Sequence, residues 1–576
     1  MSGKKIVKQK IIPGELKNDI SVFSCGCLFG ALFFIYFFGT AILNFTYTGW
    51  LMSYNDITQH YLGWRFLRNS PWSFPLGLLE NIVYPFRISV IYTDSIPLFA
   101  IFFKLLSPLL PYNFQYFGLY GIICYMLQGG VGALLIRKIG GNTVQSIIGS
   151  LFFIISPVMM LRMYHHTALA SHFIILLCML LYLQENYCLK KQILLWGGLL
   201  ALSASIHLNI TPMVIIFLFF RQLQEGVLSK KIKNPCIVFV TSMSALFVLM
   251  YCLGAFYFVR DTSAWGLGIC SANLNAFFNS QGTSAFLPSL PMATEWQYEG
   301  YAYLGLGIII NIVLIIVISV IKLLQKRSQS AATDNDMKKI FPFLLGIVLS
   351  FLVFALSPVI TLNQYTLITI SLSKFIEGIW SIFRSTGRMT WPVVYIIFTG
   401  CIWRIITGIS PKKSVVFLCV LVLIQFFDFR PWFTDRSAGF KTKTEWQTDL
   451  SSPEWSRLAG EYKHIFLFDD PYTLEDERPV MNYTYCFLDM AANNGMTVND
   501  AWLARKNLEM IKENKQKEFA DLLNGKAKNN TIYVFYLVYN DFKNVKDAGM
   551  YFYLIDNVII CLNSEKSYLE EYAFIP

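Results

Sequence analysis

Runs of about 20 apolar residues alternate with short polar segments through residues 1–430. A helix of that length crosses the hydrocarbon core of a bilayer, so the pattern predicts a mainly α-helical, polytopic transmembrane bundle. About eleven spans are expected, near residues 22–43, 113–136, 143–162, 168–186, 192–208, 210–222, 235–258, 302–322, 340–358, 389–407 and 413–429.

The apolar segment 94–111, "DSIPLFAIFFKLLSPLLP", has two interpretations. Its hydrophobicity is high enough for a further span. Lys104 in the middle of the segment and prolines near both ends favour a helix that lies in the membrane interface instead. We therefore expect an interfacial helix within the first external loop, residues 44–112.

The pattern changes after residue 429, where strand-like and helix-like segments replace the long apolar runs. Residues 463–469, 531–539 and 551–563 look like strands, and the last of these contains a turn at Asp556-Asn557. Residues 502–524 have helical periodicity and end before Gly525. The sequence thus predicts three parts: an N-terminal segment 1–21, a transmembrane domain 22–429 and a small soluble α/β domain 430–576.

The charges are unevenly distributed and predict an orientation. The net charge is +11, yet residues 430–576 carry 17 basic and 22 acidic side chains, so the excess of basic residues lies in the membrane part. The basic loops fall on the side of the lysine-rich N-terminus, which the positive-inside rule assigns to the cytoplasm. We expect a multi-pass protein of the bacterial inner membrane, with residues 1–21 in the cytoplasm and 430–576 outside it.

The stretch "SYNDITQHYLGWRFLRNSPW", residues 53–72, follows the first apolar run and collects ionisable groups at the predicted outer surface. Asp56 is placed there to accept a proton from a hydroxyl that arrives at the membrane surface. The structural alternative is that Asn55 or Asp56 caps an interfacial helix. His60 and Arg65 follow on that helix and are expected to line a groove for the acceptor or another part of the substrate.

Five segments carry a resemblance to a known superfamily: "NDITQHYLGWRFLRNSPWSFPLG", "YPFRISVIYTDSIPLFAIFFKLLSPLLP", "MYHHTALASHFIILL", "EGYAYLGLG" and "FRSTGRMTWP". Together they resemble an uncharacterised bacterial family of the GT-C superfamily of polytopic glycosyltransferases. The resemblance implies a GT-C-like fold and a polyprenyl-phosphate-linked sugar donor. It also implies that the acid early in the first external loop, Asp56 in this chain, is the general base or a metal-holding residue.

Asp94, in "YTDSIPL", is the second candidate catalytic acid, because many members of the superfamily have another acidic position in this loop. The alternative is again a cap, since Asp-Ser-Ile-Pro is a good helix start. The loop has no Asp-x-Asp motif, unlike metal-dependent oligosaccharyltransferases. We therefore assign no metal ligand, and a divalent cation (Mg²⁺ or Mn²⁺) is disfavoured.

Basic and imidazole groups supply candidate ligands for the donor phosphate. Arg384 and Arg388 are four residues apart and would share one face of a helix, where two guanidiniums can grip a phosphate. The alternative is headgroup anchoring beside Trp391. His165 and His166 lie at a predicted outer turn, although consecutive helical residues point about 100° apart and only one of them can face the ligand. His207, Glu299 and Tyr301 are expected in the acceptor groove, and a glycine-rich helix start is the alternative for the last two.

These features predict an inverting glycosyltransferase that moves a sugar from a polyprenyl-phosphate donor to an extracytoplasmic glycan or lipid-linked glycan. Its partners would be these two substrates and membrane lipids. A nucleic-acid partner is not expected, because the basic residues lie in short loops. A flippase or transporter of lipid-linked glycans, a glycan polymerase and an assembly protein are the alternatives. A transporter places binding groups near the middle of the membrane and often has repeated halves, neither of which the sequence suggests.

Overall fold

The computed structural model describes residues 13–53, 55–184, 187–258, 266–324, 335–469 and 477–575. The chain is mainly helical, with a small α/β region at its C-terminal end. Most of the polar linker 325–336 lies outside the described residues. The helices before the C-terminal region are α1 (Pro13–Phe38), α2 (Asp56–Asn69), α3 (Pro97–Leu105), α4 (Phe117–Lys138), α5 (Thr143–Ile154), α6 (Pro157–His165), α7 (Phe173–Tyr182), α8 (Leu189–Ile206), α9 (Thr211–Ser229), α10 (Lys233–Cys252), α11 (Leu306–Leu324), α12 (Asn335–Leu356), α13 (Lys374–Ser381), α14 (Trp391–Gly408), α15 (Pro411–Asp428) and α16 (Arg430–Lys441).

The protein has several helices that are long and apolar enough to cross a membrane. Within the described residues there are five, or seven if two bent helix pairs each form one span. The five are Lys17–Phe38, Phe117–Lys138, Lys233–Cys252, Lys339–Leu356 and Thr386–Gly408, and the pairs join α5 to α6 and α15 to α16.

The expected count of eleven spans is not confirmed. Each predicted apolar run does contain a helix, but four of the helices fall short of a span. Thr167–Tyr182 and Leu306–Ile321 are apolar and too short, whereas α8 has Lys190 and Lys191 in its first turn and α9 carries Arg221 and Glu225.

Glycines bring α1 and α4 into backbone contact. Gly26 and Gly30 are spaced as a G-x-x-x-G motif on α1, and they face Gly129 and Tyr125 on α4. A Cβ atom at Gly30 would overlap the carbonyl group of Tyr125. Small residues at this spacing allow membrane helices to approach closely and gain van der Waals contact, which replaces the hydrophobic effect inside lipid.

Gly30→Ala is expected to destabilise the protein by about 1–3 kcal/mol, because α1 and α4 must separate to admit the methyl group. Gly400→Ala on α14 is the matched control, since nothing lies within 4 Å of the added methyl group. That control is expected to be neutral or to gain up to about 1 kcal/mol of helix propensity. Thermal unfolding of the two purified variants in detergent measures the difference. Equal midpoints would contradict the close contact.

Residues 44–112, the segment expected to form the first external loop, fold into two helices and a short hairpin. The segment contains α2, a short hairpin of β1 (Leu78–Leu79) and β2 (Ile88–Ser89), and α3. The predicted interfacial helix is α3, which has 9 residues and is extended by one 3₁₀ turn at Ser107–Leu109. At 1.5 Å per residue this helix is about half the thickness of a bilayer core, so it does not span. A second hairpin, β3 (Val359–Leu362) and β4 (Tyr365–Thr369), follows α12.

The C-terminal region is built on a five-stranded mixed sheet of order β6-β5-β7-β9-β8. The strands β5, β6 and β7 are parallel, and β9 pairs antiparallel with β7 and β8. The predicted turn between β8 and β9 is present, and both Asp556 and Asn557 have a positive φ. The elements are α17 (Glu454–Glu461), β5 (His464–Leu467), α18 (Glu477–Asn494), β6 (Thr497–Val498), α19 (Leu508–Leu523), β7 (Thr531–Phe535), α20 (Phe542–Asp547), β8 (Tyr551–Ile555) and β9 (Val558–Leu562).

The C-terminal region packs against the 44–112 segment. Helix α18 lies against α2, and backbone hydrogen bonds join Tyr84 and Asn81 of this segment to Val498 of β6. Arg65 of α2 donates to Asn493 Oδ1 at 2.8 Å and lies 4.5 Å over the ring of Tyr112. The helix that carries Asp56 and His60 is therefore held in place by the C-terminal region.

Candidate functional site

Asp94 is the centre of a buried polar cluster. The residue follows a 3₁₀ turn, Val90–Thr93, in a left-handed conformation with a φ of 54°. Its carboxylate lies 3.4 Å from Nε2 of His166 and 3.2 Å from Nε2 of His207. The capping alternative is wrong, because Ile96 occupies the position before α3 and Asp94 makes no cap there.

Three histidines surround this carboxylate, and they come from three different elements. The ring centroids of His60 and His166 are 4.4 Å apart, and those of His166 and His207 are 5.1 Å apart. His207 Nδ1 accepts a hydrogen bond from the backbone N–H of Asn209, so in the neutral ring the proton is on Nε2, which lies 3.2 Å from Asp94 Oδ1. One ligand atom from each of His60, Asp94 and His166 can be chosen so that the three lie within 4.8 Å of one another. Atoms this close together could hold a metal ion between them.

The charges in the cluster favour an ionised Asp94 and a neutral His60. Burial opposes the charged carboxylate, but the electrostatic interaction with His207 and the polar contacts of His166 and His207 hold the pKa of Asp94 well below its usual range. Burial also lowers the pKa of His60 well below 6.5, and the neighbouring His166 adds to that effect. His60 therefore stays neutral at physiological pH, which is the form that binds metals.

A second buried cluster joins Glu299 to two guanidinium groups. Arg388 donates from Nε and Nη2 to the two carboxylate oxygens at 2.9 and 2.8 Å. Arg162 Nη1 lies 2.9 Å from Oε2, and its guanidinium carbon lies 5.3 Å from the ring centroid of Trp391. Burial raises the pKa of Glu299, but the charges of Arg162 and Arg388 outweigh it and leave the pKa lowered. One carboxylate thus neutralises one of two buried positive charges.

The two clusters are adjacent and form one site. Arg388 is close enough to Asp94 for their charges to interact, and Glu299 interacts in the same way with His166. His60 and Arg162 lie within α2 and α6, and the other members lie in loops, at helix ends or in 3₁₀ helices. These residues come from five separate parts of the chain: the 44–112 segment, residues 162–166, and the segments around residues 207, 299 and 388. The opposite end of the bundle is marked by Arg137, at the end of α4, which pairs with Asp19 near the start of α1 at 3.4 Å.

Asp56 lies at the outer edge of this site. The cap of α2 is Asn55, which forms a capping box with Thr58, so the capping function predicted for Asn55 or Asp56 belongs to Asn55. The Asp56 carboxylate occupies the first turn and is exposed. It is near enough to Tyr298, the neighbour of Glu299, to influence that phenol; burial and the charge of Glu299 raise the pKa of Tyr298 to about 12.

Arg384 and Arg388 do not share a helix face, so that prediction is wrong. Helix α13 ends at Ser381, and a separate 3₁₀ helix begins at Thr386. Arg384 lies in the bend between them and is half-buried beside Gly266, whereas Arg388 faces Glu299. A four-residue spacing places side chains on one face only when the segment between them is helical.

The remaining predicted residues make contacts outside the cluster, or their side chains are not among the described residues. Arg65 contacts the C-terminal region, and the Tyr301 hydroxyl is 2.6 Å from the hydroxyl of Thr283 in a buried contact. The side chain of His165 lies outside the described residues. His172 borders the site, because it is 2.7 Å from the Tyr395 hydroxyl and stacks on Trp391, the ring over which Arg162 lies.

Arg162 is the site residue that the sequence analysis missed. The sequence does contain a sign of its importance, because Arg162 is a charged residue within the apolar run "SPVMMLRMYHH". A charged group inside a membrane segment is rare and needs a partner, so it is a functional candidate by default. The partner, Glu299, lies 137 residues away in the chain and could not be identified by spacing.

The helices and this buried cluster define a polytopic membrane protein with a charged site at one end of its bundle. A family model described as a domain of unknown function (DUF6311) matches residues 27–430, and one described as the DUF6311 C-terminal domain matches residues 454–563. The chain therefore belongs to the DUF6311 family. No curated protein and no solved structure matches it.

Proposed function

We propose that the protein is a membrane glycosyltransferase of the GT-C type that transfers a sugar from a polyprenyl-phosphate donor to a glycan or lipid-linked glycan. The observation that supports this best is the convergence of Asp94, Glu299, Arg162 and Arg388, with the exposed Asp56 close enough to Tyr298, the neighbour of Glu299, for their charges to interact. Such a site offers an acceptor-side base and donor-side cations at one end of a membrane bundle, within reach of a substrate held in lipid.

The proposed reaction assigns Asp56 to the acceptor and the arginines to the donor. Asp56 takes the proton of an acceptor hydroxyl as that oxygen bonds to the anomeric carbon from the face opposite the phosphate. The bond between the anomeric carbon and the phosphate oxygen breaks, which inverts the carbon and leaves charge on the phosphate. Arg162 and Arg388 carry one more positive charge than Glu299 neutralises, and fixed cations stabilise a leaving phosphate. The guanidinium of Arg388 binds Glu299 through Nε and Nη2, so its Nη1 edge is the one directed to phosphate in this proposal.

Asp94 is a positioning residue in this proposal. Its carboxylate faces two histidines and its pKa is held low, so it is a weaker base than a carboxylate exposed to an incoming hydroxyl. His60 and His207 complete this inner layer. Tyr301 and Arg65 support the surrounding structure.

The proposed site works on the extracytoplasmic side of a bacterial inner membrane, within a GT-C-like arrangement of about eleven spans. The basic end of the bundle, with Arg137 and Lys138 in the last turn of α4, would face the cytoplasm. The C-terminal region, which packs on the loop that carries Asp56, would then lie outside and contribute to binding the acceptor.

Asp56→Asn tests this function. In a deletion strain, surface and lipid-linked glycans are expected to lack one sugar increment by mass spectrometry, and wild-type protein restores it. The Asn variant, expressed at an equal level, is expected to restore none, because an amide cannot accept the hydroxyl proton. Asp547→Asn, which replaces an exposed acid in the C-terminal region, is the matched control and is expected to restore the increment fully.

Two results would reject the proposal in different ways. Full rescue by Asp56→Asn would remove Asp56 as the base. Accumulation of complete lipid-linked glycan on the inner leaflet of the deletion strain, with no missing sugar, would instead indicate a flippase. A shortened chain-length distribution of an otherwise complete repeat unit would indicate a polymerase.

A further inference from the structure

His60 is fully buried, and neither of its ring nitrogens has a hydrogen-bond partner among the described residues. A neutral imidazole has one donor and one acceptor, and burying both without partners costs free energy. His166 Nδ1 is likewise buried without a hydrogen-bond partner, whereas His166 Nε2 lies 3.4 Å from Asp94 Oδ2. Unsatisfied buried polar groups in a folded protein call for an explanation, and an ion is one of the accepted ones.

The geometry around His60 matches a metal site. In a tetrahedral zinc site with bond lengths near 2.05 Å, the ligand atoms lie about 3.3 Å apart. The Asp94 Oδ2 to His166 Nε2 distance is already 3.4 Å, and ligand atoms of all three residues lie within 4.8 Å of one another. Zinc binding would draw the His60 nitrogen closer to the other two ligand atoms, by at most about 1.5 Å from that limit.

His207 is excluded as a direct ligand by its own hydrogen bond. Its Nδ1 accepts from the Asn209 backbone, so in the neutral ring Nε2 keeps its proton, and this nitrogen lies 3.2 Å from Asp94 Oδ1. A histidine in that position orients a carboxylate ligand. Such outer partners fix the ligand geometry and tune metal affinity.

We propose that His60, Asp94 and His166 bind one Zn²⁺ ion and leave a fourth coordination position open. Two imidazoles and one carboxylate suit zinc, whereas Mg²⁺ and Ca²⁺ prefer oxygen ligands only. Arg388 is close enough for its charge to oppose the ion, and Glu299, which holds Arg388 through two hydrogen bonds, offsets that charge. Three protein ligands and an open position are typical of catalytic rather than structural zinc. This inference does not depend on the glycosyltransferase proposal.

Metal titration of the whole protein tests the site. The full-length chain, purified in detergent without a histidine tag and stripped with a chelator, is dialysed against ZnCl₂ or CoCl₂. We expect inductively coupled plasma mass spectrometry to find one equivalent of zinc per chain. We also expect the cobalt form to show the strong visible absorption of four-coordinate Co²⁺, without the near-ultraviolet band of a thiolate ligand. Absence of bound metal would mean that water occupies the same space, and it would overturn the proposal.

Variants separate the ligands from their supports. His60→Gln and His166→Gln are expected to lose stoichiometric metal, whereas His207→Gln should bind it about 10–100-fold more weakly. His464→Gln is the control, because this histidine lies in the C-terminal region, 2.6 Å from the Thr497 hydroxyl. Retention of full affinity by His60→Gln and His166→Gln contradicts the assignment. If those variants do not fold, the cobalt spectrum of the wild type decides, since a six-coordinate or thiolate spectrum would also reject this ligand set.

Discussion

Glu299→Gln is expected to lower the free energy of unfolding by about 3–5 kcal/mol, because it leaves two buried guanidiniums without a counter-charge. Glu299 is the only carboxylate paired with Arg162 or Arg388 among the ion pairs of the described residues. Arg162 is only 2% exposed and cannot turn to water. The glutamine amide is nearly the same shape, so the loss measures charge rather than packing.

Denaturant titration of the purified protein in detergent micelles, followed by tryptophan fluorescence, measures this effect. Glu295→Gln is the matched control, since Glu295 is exposed in the same 3₁₀ helix. A change within about 0.5 kcal/mol is expected there. The double variant Glu299→Gln/Arg388→Met should recover part of the lost stability, because it removes one of the uncompensated charges. If the two glutamine variants unfold alike, the pairs contribute no net stability.

The apolar pattern predicted the helices well because helix formation in lipid depends mainly on local sequence. Each expected run contains a helix, and the glycine at 525 ends α19 as expected, with a positive φ. The number of spans was harder to predict, since α8 and α9 combine apolar and charged positions. Helix α18 was not predicted at all, although it forms much of the contact with α2.

The docking of the C-terminal region could not be predicted, because it depends on contacts between distant segments. Arg65 and Asn493 are 428 positions apart, and the bonds of Tyr84 and Asn81 to Val498 use the backbone, which carries no sequence signal. The groove expected at Arg65 is therefore a contact between two parts of the chain.

The candidate site was predicted in part. Placing Asp94, His166 and His207 on one predicted face anticipated that they would meet, because every second loop of a polytopic bundle lies at the same end. The pairing of charges was missed: Arg388 was interpreted as half of a clamp with Arg384, and its strongest contact is with Glu299. Only the folded chain shows which acid neutralises which base.

The C-terminal region contains a comparable buried charge network. Asp500, which follows β6, accepts a hydrogen bond from Lys506 and another at 2.9 Å from Lys515. Burial raises the pKa of Asp500, but the two lysines outweigh it and lower the pKa to about 2. Lys515 also donates to the backbone carbonyl of Asp469 at 3.3 Å, which ties the ends of β5 and β6 together.

Asp500→Asn is expected to destabilise the C-terminal region by about 3–5 kcal/mol at neutral pH, because two largely buried lysines lose their counter-charge. The wild type should also lose stability in acid. A carboxylate whose folded-state pKa is depressed stabilises the fold above its unfolded pKa, and this contribution disappears as the pH falls from about 3.8 to about 2. A shift of that size corresponds to about 2 kcal/mol.

Urea titration of the full-length protein, with brief proteolysis to detect the unfolded C-terminal region, measures both effects. The wild type and Asp547→Asn, an exposed acid in the same region, are expected to lose stability in parallel between pH 4 and pH 2. Asp500→Asn should start lower and fall less, because the group that titrates has been removed. Other carboxylates titrate in all three proteins, so the difference between the curves isolates Asp500. If the Asp500→Asn and Asp547→Asn curves run parallel at every pH, the lysines do not depend on Asp500 for their charge balance.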